Sequence, residues 1–313
     1  MFLAPKIEAI KWQPTASVAT LKQRAAIIAK IRKFFFDRNV LEVETPLLCE
    51  STVTSPHIQS ISTRENLYLQ TSPEYAMKRL LAAGSGCIFQ ICKAFRAEEQ
   101  GRLHNNEFTM LEWYRLNFNH HDLMNEVDEL LQTILNTAPA QKFSYEEIFE
   151  KYLQINPHSI STPDLFDEVK NKININESLP RDEYLNLLMT HCIEPHLGFD
   201  VPCMIYDFPA SMAALAKIRT EKFAVASRFE VYVRGIELAN GFHELQSASE
   251  QRKRFEAENQ FRNINNLPLV SIDEKLLAAL DSGLPDCAGV ALGLDRLILL
   301  ALQKNNLNEV NAF

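Results

Sequence analysis

The stretch RFEVYVRGIELANGFHEL, residues 228–245, constrains the fold of this chain more than any other. Its first half alternates: Phe229, Val231 and Val233 fall on one side of an extended chain, and Glu230, Tyr232 and Arg234 on the other. A tight turn near Arg234-Gly235 would return the chain as a hairpin. On the return, Asn240, Phe242 and Glu244 share one parity and Glu237 has the other, so all face one ligand only if a bend or bulge intervenes. Glutamates on neighbouring strands repel unless a divalent cation or a cationic substrate lies between them. Solvated glutamates on a sheet edge are the plainer alternative, and the short, apolar-flanked setting disfavours them.

Two further stretches carry the same kind of signal. In FRAEEQGRLHNNEFTMLEWYR, Arg96 and Glu98 close the apolar run GCIFQICKAFR, and a polar loop leads into NEFTMLEWYRL. A loop between two strands can hold an anionic ligand at its mouth. A period of two puts Phe108, Met110, Glu112 and Tyr114 on one face, which looks like a site floor, although taken alone the stretch favours an ordinary strand whose Glu112 pairs with a neighbouring Lys or Arg. GVALGLDRLILLAL reads as strand, glycine turn and helix, with Arg296 in the first turn. Glycine permits close approach to the backbone and arginine neutralises phosphate, but close helix–strand packing would also account for Gly-x-x-x-Gly. No P-loop, dinucleotide fingerprint or Ser-His-Asp spacing is recognisable.

The rest of the chain sets bounds. With 313 residues, 46% hydrophobic, it can bury a substantial core, and its net charge of −8 argues against a general nucleic-acid coat. Six cysteines without a CxxC pair or zinc-like spacing read as reduced thiols. No signal peptide or membrane-length apolar run is evident, so a cytoplasmic protein without a membrane partner is expected. Residues 20–38 form an amphipathic helix, LEVETPLL a strand broken or edged by Pro46, and LYLQTS a short strand. In SPEYAMKRLLAAG a helix starts with Ser72 as N-cap, Pro73 at the first position and Glu74 in the first turn. Helices follow at 121–136, in SEQRKRFEAENQFRNI and in DEKLLAALDSG. From about 139 to 200 the pattern weakens into Asn/Ser/Pro-rich segments with short helices near 145–153 and 181–192, which reads as an insertion. Strands dominate near the motifs without a βαβ rhythm, so the fold class is α+β with a largely antiparallel sheet.

The order of these elements resembles the class II aminoacyl-tRNA synthetases through all three motifs of that family. The long helix with LEVETP resembles motif one, FRAEEQGRLHNNEFTMLEWY motif two and GVALGLDRL motif three; TSPEYAMKRLL and ELANGFHEL are similar to the lysyl-tRNA synthetases. The resemblance runs from about residue 18 onward, outside the insertion. Those synthetases carry an N-terminal OB-fold that grips the anticodon, and here motif one begins almost at once. The chain therefore resembles the stand-alone branch that attaches (R)-β-lysine to elongation factor P, a branch that Ala291 also fits where lysyl-tRNA synthetases have glycine. Ala97 stands where that pattern has Asn, Asn106 where it has Pro, and Gln246-Ser247 follow the Glu-Leu; the charged groups are intact.

The resemblance implies a single catalytic domain over 1–313 without an OB-fold, ATP as a substrate and Mg²⁺ as cofactor. Arg96, with Arg296, would be catalytic, drawing the amino-acid carboxylate and the α-phosphate together. Arg96, Ala97, Glu98, His104, Asn105, Phe108, Glu237, Leu238, Gly293 and Arg296 would hold ATP, and Glu230 and Glu237 the Mg²⁺. Glu244, Tyr114 and Asn240, with Glu112 nearby, would receive the distal ammonium of (R)-β-lysine or lysine, and Ser72, Pro73 and Glu74 the amino group near the carboxylate. Elongation factor P would be the acceptor in place of tRNA, and the enzyme a homodimer. A non-catalytic ATP- or tRNA-binding regulator and a truncated lysyl-tRNA synthetase are the competing readings.

Overall fold

The computed structural model describes residues 12–97, 101–175 and 178–313. The chain enters through α1 (Val18–Phe36), whose N-cap Ser17 accepts a hydrogen bond from the Thr20 amide. LEVETPLL is not one strand: β1 (Leu41–Glu42) and β2 (Leu48–Cys49) flank Pro46, which has no N–H to give to a ladder. β3 (Tyr68–Leu69) pairs with β2, and α2 (Glu74–Ala82) follows. Ser72 does not cap this helix; Pro73 occupies the cap position without a side-chain bond. Glu74 is its first helical residue, and its carboxylate accepts from Lys78 one turn on.

β4 (Ile88–Phe95) and β5 (Glu107–Leu116) are the two strands joined by the polar loop, and α3 (His120–Leu135) comes next. The segment that reads as a weak insertion holds more regular structure than its composition suggests. β6 (Gln141–Ser144), α4 (Tyr145–Leu153), α5 (Thr162–Lys172) and α6 (Arg181–Leu188) lie within it. The sequence pattern predicts no helix at α5 because Ser and Pro look like loop residues; here Ser161 caps the Asp164 amide and Pro163 sits in the first turn, where its missing N–H costs nothing. Then come β7 (Cys203–Pro209), β8 (Ile218–Thr220), β9 (Ala224–Val233), β10 (Ile236–His243), α7 (Ala248–Ile264), α8 (Glu274–Gly283), β11 (Cys287–Gly293) and α9 (Leu294–Ala301).

One sheet runs in the order β1-β4-β5-β11-β10-β9-β7-β6, with β8 beside β9. Only the outer pairs β1–β4 and β6–β7 are parallel, so the α+β, mostly antiparallel expectation holds among the described residues. The expected hairpin is present: Val233 pairs with Ile236 across Arg234 and Gly235, whose φ values of 53° and 70° match the twist-compatible two-residue turn. The expected irregularity is there too. Glu237 pairs with Tyr232 and Ala239 with Val231, so Leu238 is an extra residue that moves Glu237 onto the face of Asn240.

The register defines two faces. Pairings Glu112–Ala291–Asn240–Glu230 and Tyr114–Gly289–Phe242–Arg228 set these side chains on one face. The other face carries Leu111, Trp113, Val290, Leu292, Phe229 and Val231, which form the main core with α1, α3 and α9. A second core fixes α4, α5 and α6 against β7 and β9, and a third joins α2, α7 and α8 to Tyr114 and Ile88 at one end of the polar face.

Phe35 anchors α1 to the sheet. Its ring stacks on Phe89 at 4.5 Å between centroids and meets Trp113 edge-on at 5.2 Å, with no exposure to solvent. Phe35→Ala is expected to lower the unfolding free energy by about 3–5 kcal/mol, measured by denaturant titration, because the cavity forfeits both ring contacts.

Candidate active site

A cleft of about 260 Å³ opens where β5, β10, β11 and α9 meet the polar loop. Arg96, His104, Asn105, Phe108, Glu237, Leu238, Gly293 and Arg296 all line it, so eight residues expected at the nucleotide converge from three separate stretches. Ala97 does not line it, and Glu98 lies outside the described residues. Thr109, Asp295 and Leu307 also contribute; the first two lie inside the motif stretches without being singled out there, and Leu307 lies outside them.

Arg296 ties these pieces together. Its guanidinium donates to the Glu237 carbonyl at 2.7 Å, to the Leu103 carbonyl at 3.2 Å and to His104 Nε2 at 2.5 Å. The bulge therefore has a second consequence: it presents a carbonyl to the arginine of α9. The neighbouring Asp295 is buried and accepts from Arg24 at 2.6 Å and from the Thr109 amide at 2.7 Å, which fixes the start of α9 against α1 and β5. Arg96 stands over the Phe108 ring, 5.2 Å from its centroid. An apolar ring in a cleft that also holds two arginines suits a flat heterocycle carrying phosphates.

Glu230 and Glu237 share the polar face on adjacent strands. Glu230 accepts from Arg228 and, at 2.5 Å, from Tyr232. Glu237 opens onto the cleft yet is hemmed in by protein; lost hydration, then the neighbouring Glu230, push its carboxyl up to about 7. The two carboxylates are close enough for Glu230 to raise Glu237, and a hard divalent cation, which takes oxygen ligands, would relieve that repulsion. Asn240 is engaged by Arg228, whose Nε donates to it at 3.2 Å. A different grouping, His120, His121 and Asp207, has ligand atoms within 4.8 Å of one another, but Arg219 already donates to Asp207 at 2.6 Å and to His120 at 3.0 Å.

Beyond the cleft, the same face turns acidic and closed. Glu112 and Glu244 are 2% and 1% exposed. Tyr114 donates to Glu112 Oε1 at 2.7 Å, while Glu112 Oε2 is buried with no hydrogen-bond partner among the described residues. Lys78, as buried as its neighbours, reaches Glu74 at 2.8 Å and Glu244 at 2.7 Å. The two glutamates expected at different ends of a substrate thus adjoin through one ammonium. Burial, then the charges of Glu74 and Glu244, push Glu112 well above the carboxylate range, with only Tyr114 and Lys78 opposing. Ser72 is elsewhere, in a second cavity of about 280 Å³ with Gln70, Tyr75 and Arg79.

The glycines of β11 show how the acidic group fits. Gly289, Ala291 and Gly293 alternate with Val290 and Leu292, so every small residue faces the site and every large one the core. A Cβ on Gly289 would lie 2.2 Å from the Tyr114 ring and 2.6 Å from Glu244 Oε1. Gly293 has no such crowding. Gly289 and Lys78 adjoin this acidic group, and the motifs do not single them out. The small–large alternation in GVALG, and a lysine four residues after Glu74 between the buried Met77 and Leu81, are the local signals for them.

The family described as tRNA synthetases class II (D, K and N) matches residues 5–313. Proteins named elongation factor P–(R)-β-lysine ligase from Salmonella paratyphi B, Salmonella schwarzengrund and Salmonella enteritidis PT4 are each 52% identical over 98% of this chain and 98% of their own length.

An acid whose folded-state pKa lies above its unfolded value stabilises the fold at pH below the unfolded value and loses that contribution as the pH rises through the folded one. Glu112 is such an acid, raised from 4.5. In ligand-free protein, the melting temperature of Glu112→Gln relative to the parent is therefore expected to increase between about pH 5 and pH 8, read by differential scanning calorimetry.

Proposed function

The chain belongs to the class II tRNA synthetases of the D, K and N group, and on that premise we propose that it activates (R)-β-lysine or lysine with ATP and transfers it to a lysine side chain of elongation factor P. One observation carries the choice of substrate. Lys78 pairs with Glu74 and Glu244, and the buried Glu112 lies in their field, so three carboxylates, once ionised, outnumber that one ammonium by two charges. Burial raises Glu112 and Glu244, and a bound cation would relieve it. A diamino acid brings two ammonium groups, and its own carboxylate is left to meet the arginines of the adjoining cleft. The orphan Oε2 of Glu112 is an acceptor waiting for one of those ammonium groups.

The cleft residues then act by position and charge. Phe108 offers its ring to adenine, and Arg296, already braced on the bulge carbonyl, faces the phosphate end. Arg96 draws the substrate carboxylate and the α-phosphate together, lowering the repulsion between two anions that must react. A carboxylate oxygen attacks the α-phosphorus, the bond to the bridging oxygen breaks, and pyrophosphate departs. No side-chain nucleophile or base is needed, since holding the reactants in line supplies the rate. The acceptor amine attacks the acyl carbonyl, AMP leaves, and the amine loses a proton. Glu230 and Glu237 would hold Mg²⁺, which neutralises phosphate oxygens when bound.

A protein acceptor is supported by the chain's net charge of −8, which offers little general attraction to a polyanion whose binding rests on phosphate contacts. It is also supported by full-length similarity to ligases whose name gives elongation factor P. We read residues 1–313 as one catalytic unit with 139–200 as an insertion, working in the cytoplasm; among the described residues no helix is long and apolar enough to cross a membrane.

The test supplies ATP and labelled (R)-β-lysine with either unmodified elongation factor P or lysine tRNA. Label is expected on the protein, and Arg96→Ala is expected to abolish both transfer and ATP–pyrophosphate exchange while leaving the fold intact. Label on tRNA alone would return the chain to the tRNA-charging members of the family, and absence of exchange with any diamino acid would make it a binding protein.

A homodimer is part of the same proposal. Phe36, Leu41, Leu47 and Leu48 are exposed in the segment similar to motif one, and Phe36 is 79% accessible. A second copy covering this surface gives them a partner. Sedimentation is expected to report twice the 35.8 kDa chain mass, and Phe36→Asp to shift the protein toward monomer.

A further inference from the structure

Lys78 enters the reading above only as a charge to be counted, yet it is buried among the site's carboxylates. It is 1% exposed, on a helix whose neighbouring positions Met77 and Leu81 are core residues. Its ammonium meets Glu74 on its own helix at 2.8 Å and Glu244 at the end of β10 at 2.7 Å. Surface lysines do not take such positions, because removing an ammonium from water is costly unless carboxylates replace the hydration.

We propose that Lys78 is a positioning residue of the diamino-acid pocket: it cross-links Glu74 to Glu244 and claims one of three carboxylate charges, leaving two for the substrate's ammonium groups. This rests on the function proposed above and adds to it the residue that sets the pocket's charge count. Glu244 is otherwise held by its backbone alone, its amide donating to the Cys287 carbonyl at 3.0 Å, with its side chain resting over bare Gly289. Without the ammonium, nothing from α2 would reach across to it. Burial alone would lower the pKa of Lys78, but Glu244 and Glu74 outweigh burial and raise it. Lys78 therefore stays charged throughout the working range. The other titratable groups around the pocket are Glu112, Tyr114, Cys92, Cys287 and, near Glu244, Lys217. Burial pushes the Cys92 thiol up to about 12 and raises Cys287 and Tyr114 as well, so these remain neutral.

A purely structural lysine and a positioning one differ in what they move. In ATP–pyrophosphate exchange, Lys78→Met is expected to raise KM for (R)-β-lysine and lysine at least about tenfold and to leave KM for ATP within about twofold. With the fixed cation gone, a proton must take its place among the glutamates. The variant's KM for the diamino acid should then vary with pH more steeply than the parent's. In Lys78→Ala, propylammonium added to the assay should restore part of the lost affinity, and neutral propanol should not.

A folded Lys78→Met variant with the parent's KM and pH profile would overturn the proposal. Should Lys78→Met fail to fold, the double variant Lys78→Met/Glu244→Gln removes the stranded charge together with its partner. It is expected to recover much of the melting temperature, and failure to recover would also overturn the pairing. If the parent exchanges with no diamino acid, the proposed function falls, and the stability comparison of single and double variants still decides whether Lys78 and Glu244 act as a pair.

Discussion

The ladder β5-β11-β10-β9 is the constraint on which the site depends. Because side chains alternate, a one-residue slip anywhere in it would carry Glu112, Tyr114, Asn240 and Glu230 into the core and expose Trp113 and Val231 in their place. The large apolar face, packed on α1, α3 and α9, holds that register. The bulge at Leu238 is the one tolerated departure. It brings Glu237 onto the polar face and turns the Glu237 carbonyl to Arg296. One extra residue thus aligns a carboxylate and braces an arginine on the opposite wall.

Two electrostatic environments share this face. The cleft is lined by arginines and a histidine from the loop and from α9, suited to phosphate and carboxylate. The closed end is acidic, with burial and the neighbouring Glu74 raising the Glu112 carboxyl and Lys78 as internal counter-ion. A substrate with a carboxylate at one end and ammonium groups along its length would lie along the gradient between them. The small residues of β11 keep the floor low enough for both: Gly289 beneath Tyr114 and Glu244, and Gly293 at the cleft.

The helical segment 139–200 sits outside this arrangement but is not loosely attached. Its own core involves Tyr145, Phe149, Leu165 and Leu185 and continues into Tyr232, whose hydroxyl holds Glu230. That phenol, which also reaches Glu194 of the segment, joins its core to the polar face.

Strand alternation, the Arg234-Gly235 turn and the odd parity of Glu237 are local facts, and the sequence by itself determined the hairpin, the bulge and the identity of the polar face from them. The ordering of the three motifs determined the family and which residues converge on the cleft, since charged side chains spaced two apart on apolar strands must gather on the one face that the core does not claim. What only the tertiary structure decided depends on contacts between distant elements. Ser72 has the sequence context of a helix cap and stands in another cavity, because the conformation at Pro73 starts the helix one residue later. LEVETPLL has the pattern of one strand and is two, because a strand needs a partner on each side of Pro46 and finds one only for two residues at a time. By local pattern Lys78 is one more lysine on an amphipathic helix, and Gly289 a packing glycine. Their roles appear only when β10 brings Glu244 to both, 166 residues along the chain from Lys78, and no local pattern encodes a meeting that the whole sheet must fold to produce.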